Sequence, residues 1–316
     1  MDVLMVCAAA GGPVTGNRCL ADQWRDVLVG LGHVVAVTSR FDGQKADLLV
    51  ALHASKCAAD VAAFRANQSV PVVLILTGTD IYPAPEVPAL DTMATADRLI
   101  ALQPRAVSQV PDAFHHKIRV IRQAALPSGV VAHKSGTTFD IAVVANLRDV
   151  KDPLLTAAAA RLLHPASKLR IRHAGTILED KYRALAESES AENPRYQWVG
   201  QLDPTAAHQL IADSDLLVLS SLSEGAGRVV GEAIVEGTPI LSTRVDGVVG
   251  LVGEDYPGLF PVGDAPALAK LLNRCETDAS FMEELRCRCG ALAPQFAPER
   301  ERAAWRDLLD DLAMEQ

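Results

Sequence analysis

The feature that most constrains this chain is an alternation. Short aliphatic runs recur, each separated from the next by turn residues and a helix-length amphipathic stretch. Parallel strands need long crossover connections, so this alternation specifies a parallel sheet covered by helices and predicts an α/β class. In the first half the runs are VLMVCA (3–8), VVAVT (34–38), DLLVALH (47–53), VPVVLIL (70–76), RLIALQ (98–103) and KIRVIR (117–122). From 126 to 138 the pattern lapses into LPSGVVAHKSGTT, a linker by composition, and a second series begins: IAVVANL (141–147), KLRIRHA (168–174), YQWVG (196–200), DLLVLSS (215–221) and TPILST (238–243). Helix-rich sequence closes the chain over 264–275, 278–290 and 296–315. The restart predicts two doubly wound, Rossmann-like domains, 1–130 and 139–290, with the helix of 291–316 packing back on the first. Ligands of such folds bind at the carboxyl ends of the strands, so a cleft between the domains is expected to hold the chemistry.

A chain of 316 residues exceeds the length at which one core keeps growing, which agrees with two domains. Its 49% hydrophobic and 22% charged residues exclude a disordered chain. A net charge of −9 argues against nucleic acid or anionic lipid as a partner, so any phosphate must be met by a local cluster of positive groups. The six cysteines show no CxxC spacing and read as reduced cytoplasmic thiols; in the CxC of Cys287 and Cys289, helical positions i and i+2 point apart. MDVLMVCAAAGG reads as a buried strand and not a signal peptide, and no apolar run is long enough to span a membrane. A cytoplasmic location is expected.

The strongest local signal is SSLSEGAGRVVGEAIVEGTPIL, 220–241. A strand ends near Ser221, a loop carries Glu224, Gly225, Ala226 and Gly227, and a helix follows with Arg228, Val229, Val230 and Glu232. Small residues let a ligand approach backbone, and the free N–H groups of a helix start suit a diphosphate. Glu224 ahead of the helix and Glu232 two turns into it can accept hydroxyls at opposite ends of a polyol. The plain alternative is that both are ordinary acids near a helix N-terminus.

A second cluster, ANLRDVKDP (145–153), follows the first strand of the second domain. Arg148 and Lys151 lie in its loop, and Asp152–Pro153 is predicted to be an N-cap followed by proline at the first helical position. Two fixed cations and a helix start can stabilise a departing nucleoside diphosphate, and no metal or other cofactor is called for. Asp213-Ser214-Asp215 spells DxD but sits at the start of a strand, and is read as turn and cap.

The first domain offers an anion pocket. Gly11, Gly12, Thr15, Gly16, Asn17 and Arg18 are predicted to form a glycine-rich loop after the first strand, with Gly16 assigned to the donor and Asn17 and Arg18 to the acceptor. His53 and Lys56 follow the third strand; Thr77, Thr79 and Asp80 follow the fourth. His53 and Lys56 could equally be a strand-end histidine and a solvated cation. Gly175, at the end of a second-domain strand, is assigned to the donor.

At Glu224 and Glu232, and at Arg148 and Lys151, the chain resembles the retaining family 4 glycosyltransferases of GT-B fold. That resemblance implies a nucleotide-sugar donor whose sugar meets Glu224, whose ribose meets Glu232 and whose diphosphate meets the two cations. GNR (16–18), LVALHA (49–54), LTGTDIY (76–82), NPRYQWVG (193–200) and GEDYPGLFPVGD (253–264) look like the selenosugar synthases of bacterial selenoneine biosynthesis. This implies transfer of a hexosyl group, GlcNAc or similar, from a UDP-sugar to selenophosphate with formation of a C–Se bond, followed by loss of phosphate. The substrates are small molecules, and the downstream selenoneine biosynthetic enzyme is the implied protein partner. The chain departs from family 4 at Thr77, where that family carries histidine, and from the selenosugar synthases in its donor loop at Arg228 and Gly231. Two other readings are an ordinary family 4-type transferase with a small-molecule O-acceptor, and a bilobal binding protein without catalysis.

Overall fold

The computed structural model describes residues 1–12 and 15–314. Contacts divide it into two compact units, Met1–Ala124 joined by the segment from Ala297, and Ala125–Phe296.

In the first unit β1 (Asp2–Cys7), α1 (Gly16–Gly30), β2 (Val34–Thr38), β3 (Leu48–Leu52), α2 (Ala58–Asn67), β4 (Val72–Leu76), α3 (Val87–Thr95), β5 (Arg98–Ala101) and β6 (Ile118–Val120) follow one another. All strands are parallel, in the order β2-β1-β3-β4-β5-β6. Strands β3, β4 and β5 are buried along their whole length, which is why their sequences are continuous apolar runs and not alternating ones.

In the second unit come β7 (Phe139–Val144), α4 (Leu155–Arg161), β8 (Leu169–Ala174), α5 (Lys181–Glu192), β9 (Tyr196–Gly200), α6 (Pro204–Asp213), β10 (Leu216–Leu219), α7 (Arg228–Val235), β11 (Ile240–Thr243), α8 (Asp246–Val252), β12 (Leu259–Phe260), α9 (Ala265–Thr277) and α10 (Ala279–Leu292). Its sheet is again parallel, ordered β12-β11-β10-β7-β8-β9. The two-residue β12 is too short to show an apolar period and was not expected.

The last helix, α11 (Pro298–Met314), belongs to the first unit. Buried Glu301 accepts from Trp24 Nε1 at 2.6 Å, from Gln23 Nε2 at 3.0 Å and from the Ala124 N–H at 3.0 Å. Trp305 packs edge-on against Trp24 with ring centroids 5.0 Å apart. A carboxylate sharing three donors fixes both the position and the rotation of the helix.

The stretch expected to be a free linker is tied to the second unit. The Ala125 N–H donates to Phe296 O, Ser128 N–H to Glu236 Oε1, and His133 N–H to Asp213 Oδ1. Asp213 is thus a tether, and Asp215 Oδ2 accepts the Asp140 N–H at 2.9 Å, so both acids of the DxD serve the start of the sheet.

Candidate functional site

A doubly wound sheet binds ligands where the strand order reverses, beyond the carboxyl ends of the two strands that flank the reversal. In the second unit those strands are β7 and β10, and the loops after them are 145–154 and 220–227. These are the two segments singled out from the sequence.

The loops are stitched together by buried hydroxyls. Ser220 Oγ donates to the carbonyls of Lys151 (3.0 Å) and Asp152 (2.9 Å), and the Leu222 N–H to Val150 O (2.9 Å). Across this seam Lys151 Nζ meets Glu224 Oε1 at 2.5 Å, and Ser221 Oγ donates to the same oxygen at 2.6 Å. Both ion-pair side chains are mostly covered, at 20% and 10% exposure, so screening is weak and the pair is well defined. Arg228 Nε pairs with Glu232 Oε1 at 2.6 Å one turn along α7. Glu232 therefore lies one turn into the helix and not two. Gly227, at φ +52°, is the left-handed entry to α7, and the N–H groups of Gly225, Ala226 and Val229 donate to no acceptor among the described residues. A ligand bearing two phosphates would find here two exchangeable cations and unused backbone donors.

The Asp152–Pro153 cap is not formed. Asp149–Lys151 makes a single 3-10 turn closed by Asp152 in the left-handed region at φ +41°, and α4 starts three residues later at Leu155. Asp152 is held there because its carbonyl accepts both Ser220 Oγ and the Leu155 N–H. Tertiary bonds from β10 override the local capping preference, and burial raises the Asp152 carboxyl pKa. Arg148 precedes this turn, half-buried, with no side-chain partner among the described residues.

Two glycines have packing reasons of their own. A Cβ on Gly175 would stand 1.9 Å from Ala145 O, so that glycine is needed for the loops after β7 and β8 to touch. A Cβ on Gly231 would meet the Phe296 ring at 2.8 Å, which accounts for the unusual glycine inside α7 without a ligand. Sequence reasoning missed Gly247 in α8, where a Cβ would lie 2.0 Å from the Glu224 carbonyl oxygen. The one signal was a glycine just after a strand, which many turns share. His173 beneath this region is fully buried between Tyr196 Oη and Ala145 O, both 2.9 Å away, and burial brings its pKa down to about 4. It is a neutral strut with Nε2–H donating to the carbonyl.

In the first unit the order reverses between β1 and β3. Gly16, Asn17 and Arg18, expected in a loop, form the first turn of α1 because Thr15 caps it, its hydroxyl accepting the Arg18 N–H. Arg18 turns its guanidinium back onto Gly12 O, and Asn17 Nδ2 reaches Thr77 Oγ1 at 3.3 Å. His53, at φ +80° and buried, bonds Thr79 Oγ1 through Nε2 at 2.9 Å. Desolvation lowers its pKa despite nearby Asp80, so the imidazole is neutral at pH 7. Asp80, assigned to an acceptor, spends its oxygens on the N–H groups of Ala54 (2.9 Å), Thr77 (3.0 Å) and Gly78 (2.7 Å). It builds the loops after β3 and β4 and has no free face for a ligand. Lys56 is exposed.

No helix among the described residues is long and apolar enough to cross a membrane, and no three His, Cys, Asp or Glu side chains there gather into a group that could hold a metal ion.

Two parallel, doubly wound six-stranded units, with paired cations and carboxylates beside a glycine-led helix start, define a GT-B α/β protein. The family model for "Glycosyl transferases group 1" matches residues 131–295, just over half of the chain, and the chain belongs to that family. A D-inositol 3-phosphate glycosyltransferase of Corynebacterium glutamicum (strain R) is 33% identical over 160 residues, which is 46% of this chain and 37% of the relative. The chain thus matches well under half the length of that relative. Among solved structures, Anabaena HepE in complex with UDP and glucose has a TM-score of 0.74 at 17% identity, each chain covered in full. Sucrose-phosphate synthase from Thermosynechococcus elongatus has a TM-score of 0.79 at 16% identity, with 100% of this chain and 99% of that one covered. These two likenesses concern the fold.

Proposed function

We propose that the chain transfers a hexosyl group, GlcNAc or a close relative, from a UDP-sugar to selenophosphate, making a C–Se bond. The observation that carries the donor half is the Lys151–Glu224 pair at the strand-order reversal, next to the unused N–H groups that lead into α7. On donor binding Lys151 and Arg228 exchange their carboxylates for diphosphate oxygens. Glu224 then accepts a hexose hydroxyl and Glu232 a ribose hydroxyl. Arg148, Lys151 and the helix start stabilise the charge on departing UDP without proton transfer. Gly175 and Gly16 allow close backbone approach in their respective units.

The acceptor half rests on the stretches resembling selenosugar synthases and on Thr77 standing where family 4 enzymes carry histidine. A selenium lone pair attacks the anomeric carbon, and the bond from that carbon to the β-phosphate oxygen breaks with its electrons leaving on UDP. Water then cleaves P–Se and phosphate departs. Anionic selenium needs no strong general base. Asn17, Arg18, Lys56 and the hydroxyls of Thr77 and Thr79 are the first-unit groups suited to a small dianion, with neutral His53 fixing Thr79.

One observation favours a second reading, an O-transfer to a small phosphate-bearing acceptor: the corynebacterial relative is named for D-inositol 3-phosphate. UDP release measured with selenophosphate, inositol phosphate and a panel of free sugars separates them. Under the first reading selenophosphate supports release and the product mass spectrum carries the selenium isotope pattern. Release only with oxygen acceptors would overturn it.

A further inference from the structure

Ser221 has no role in the reading above, yet it is the most firmly fixed group touching Glu224. It is 3% exposed, and its Oγ donates to Glu224 Oε1 at 2.6 Å. Its carbonyl in turn accepts the hydroxyl of wholly buried Thr243 at 2.6 Å, which ties the end of β10 to the end of β11. Its neighbour Ser220 anchors the Lys151 loop through two carbonyls. Glu224 is therefore held from two sides at one oxygen, by a buried hydroxyl on a strand end and by an ammonium on a flexible stem. Its Oε2 has no partner among the described residues.

The two partners differ in what a diphosphate does to them. An ammonium is drawn to phosphate and leaves the carboxylate; a serine hydroxyl rooted in the sheet does not follow. Freed from both, a glutamate side chain would regain rotamer freedom and hold a sugar hydroxyl poorly. We propose that Ser221 is a positioning residue for Glu224: its hydroxyl keeps Oε1 engaged once Lys151 turns to the diphosphate, so that Oε2 stays available to the donor hexose. This rests on the donor half of the reading above.

The role predicts a split between hexose and nucleotide. Ser221→Ala should lower kcat/KM for the UDP-sugar about tenfold, the size of one hydrogen bond to a charged group. Affinity for UDP alone, by calorimetry, should stay within about twofold, because UDP carries no hexose for Glu224 to hold. Ser221→Thr, which keeps the hydroxyl, should recover most of the loss, and Ser221→Cys, near in shape with a weak donor, should behave like alanine. In a Glu224→Ala background, where the hydroxyl has no acceptor left, Ser221→Ala should cost less than about twofold more. A Ser221→Ala or Ser221→Cys enzyme with unchanged kcat/KM overturns the proposal. So does an equal loss of UDP affinity, or a full tenfold further loss on top of Glu224→Ala. A parent chain that binds no UDP refutes the donor reading itself, an outcome distinct from any of these.

Discussion

The two sheets reverse strand order in the same manner but spend their carboxylates differently. At the reversal in the second unit, Glu224 and Glu232 face cations across side chains, and both cation and carboxylate can trade partners with a ligand. In the first unit, Asp80 is consumed by three backbone N–H groups, while Lys56 stands exposed. A side-chain pair can be exchanged at little net cost, since each charge finds another of opposite sign. A buried carboxylate holding backbone donors cannot, because its departure leaves all of them unsatisfied. The contrast teaches which acids beside a strand end can release their partners and which are scaffolding.

The sharpest way to break that comparison is to remove one member of each kind. Glu224→Ala and Lys151→Ala should each slow UDP release by about a hundredfold or more, in line with loss of one preorganised charge-stabilising group, with thermal unfolding little changed. Unaltered release would refute the donor site. Asp80→Ala should do the reverse, destabilising the first unit by roughly 3 kcal/mol or more through its orphaned N–H groups, as read in urea unfolding. UDP affinity of the protein that remains folded should be unaffected.

Acid sharpens the contrast next. His173, neutral in the fold with a pKa of about 4 against 6.5 when unfolded, binds its proton more readily in the unfolded chain. Its stabilising contribution is complete above pH 6.5 and falls as pH drops toward 4, by about 3 kcal/mol in all. His53 shifts in the same direction, also by desolvation. Urea unfolding from pH 7 to pH 4 should show a slope that His173→Leu flattens; an equal slope in that variant would dismiss the strut. The smallest effect expected is from Gly247→Ala, where the added methyl must push the Glu224 carbonyl aside. About 1–2 kcal/mol of overpacking should appear as weaker binding of the UDP-sugar and of UDP alike, because the Glu224 carbonyl shares its peptide group with the Gly225 N–H.

Much of this was legible beforehand because it is local. The apolar runs give the strands, and the loop after β10 carries its glycines and glutamates in order. What stayed hidden was non-local. The pairing of Lys151 with Glu224, 73 positions apart, needs β7 and β10 to be neighbours. Ser221, Thr243 and Gly247 look like any strand-end hydroxyls and any loop glycine until the Glu224 loop is laid against them.

By itself the sequence determined that the chain would form two series of parallel strands and helices, and that a loop bearing glycines and a glutamate would lead into the helix after β10, because apolar periodicity and turn chemistry act over a few residues. Only the tertiary structure decided the role of each polar group. Asp152 gave up its cap to Ser220, Asp80 became scaffold, and Gly175 and Gly231 proved to be points of close packing. Hydrogen-bond partners are chosen by which strands lie side by side, and strand order is a property of the folded sheet that no local window of residues contains.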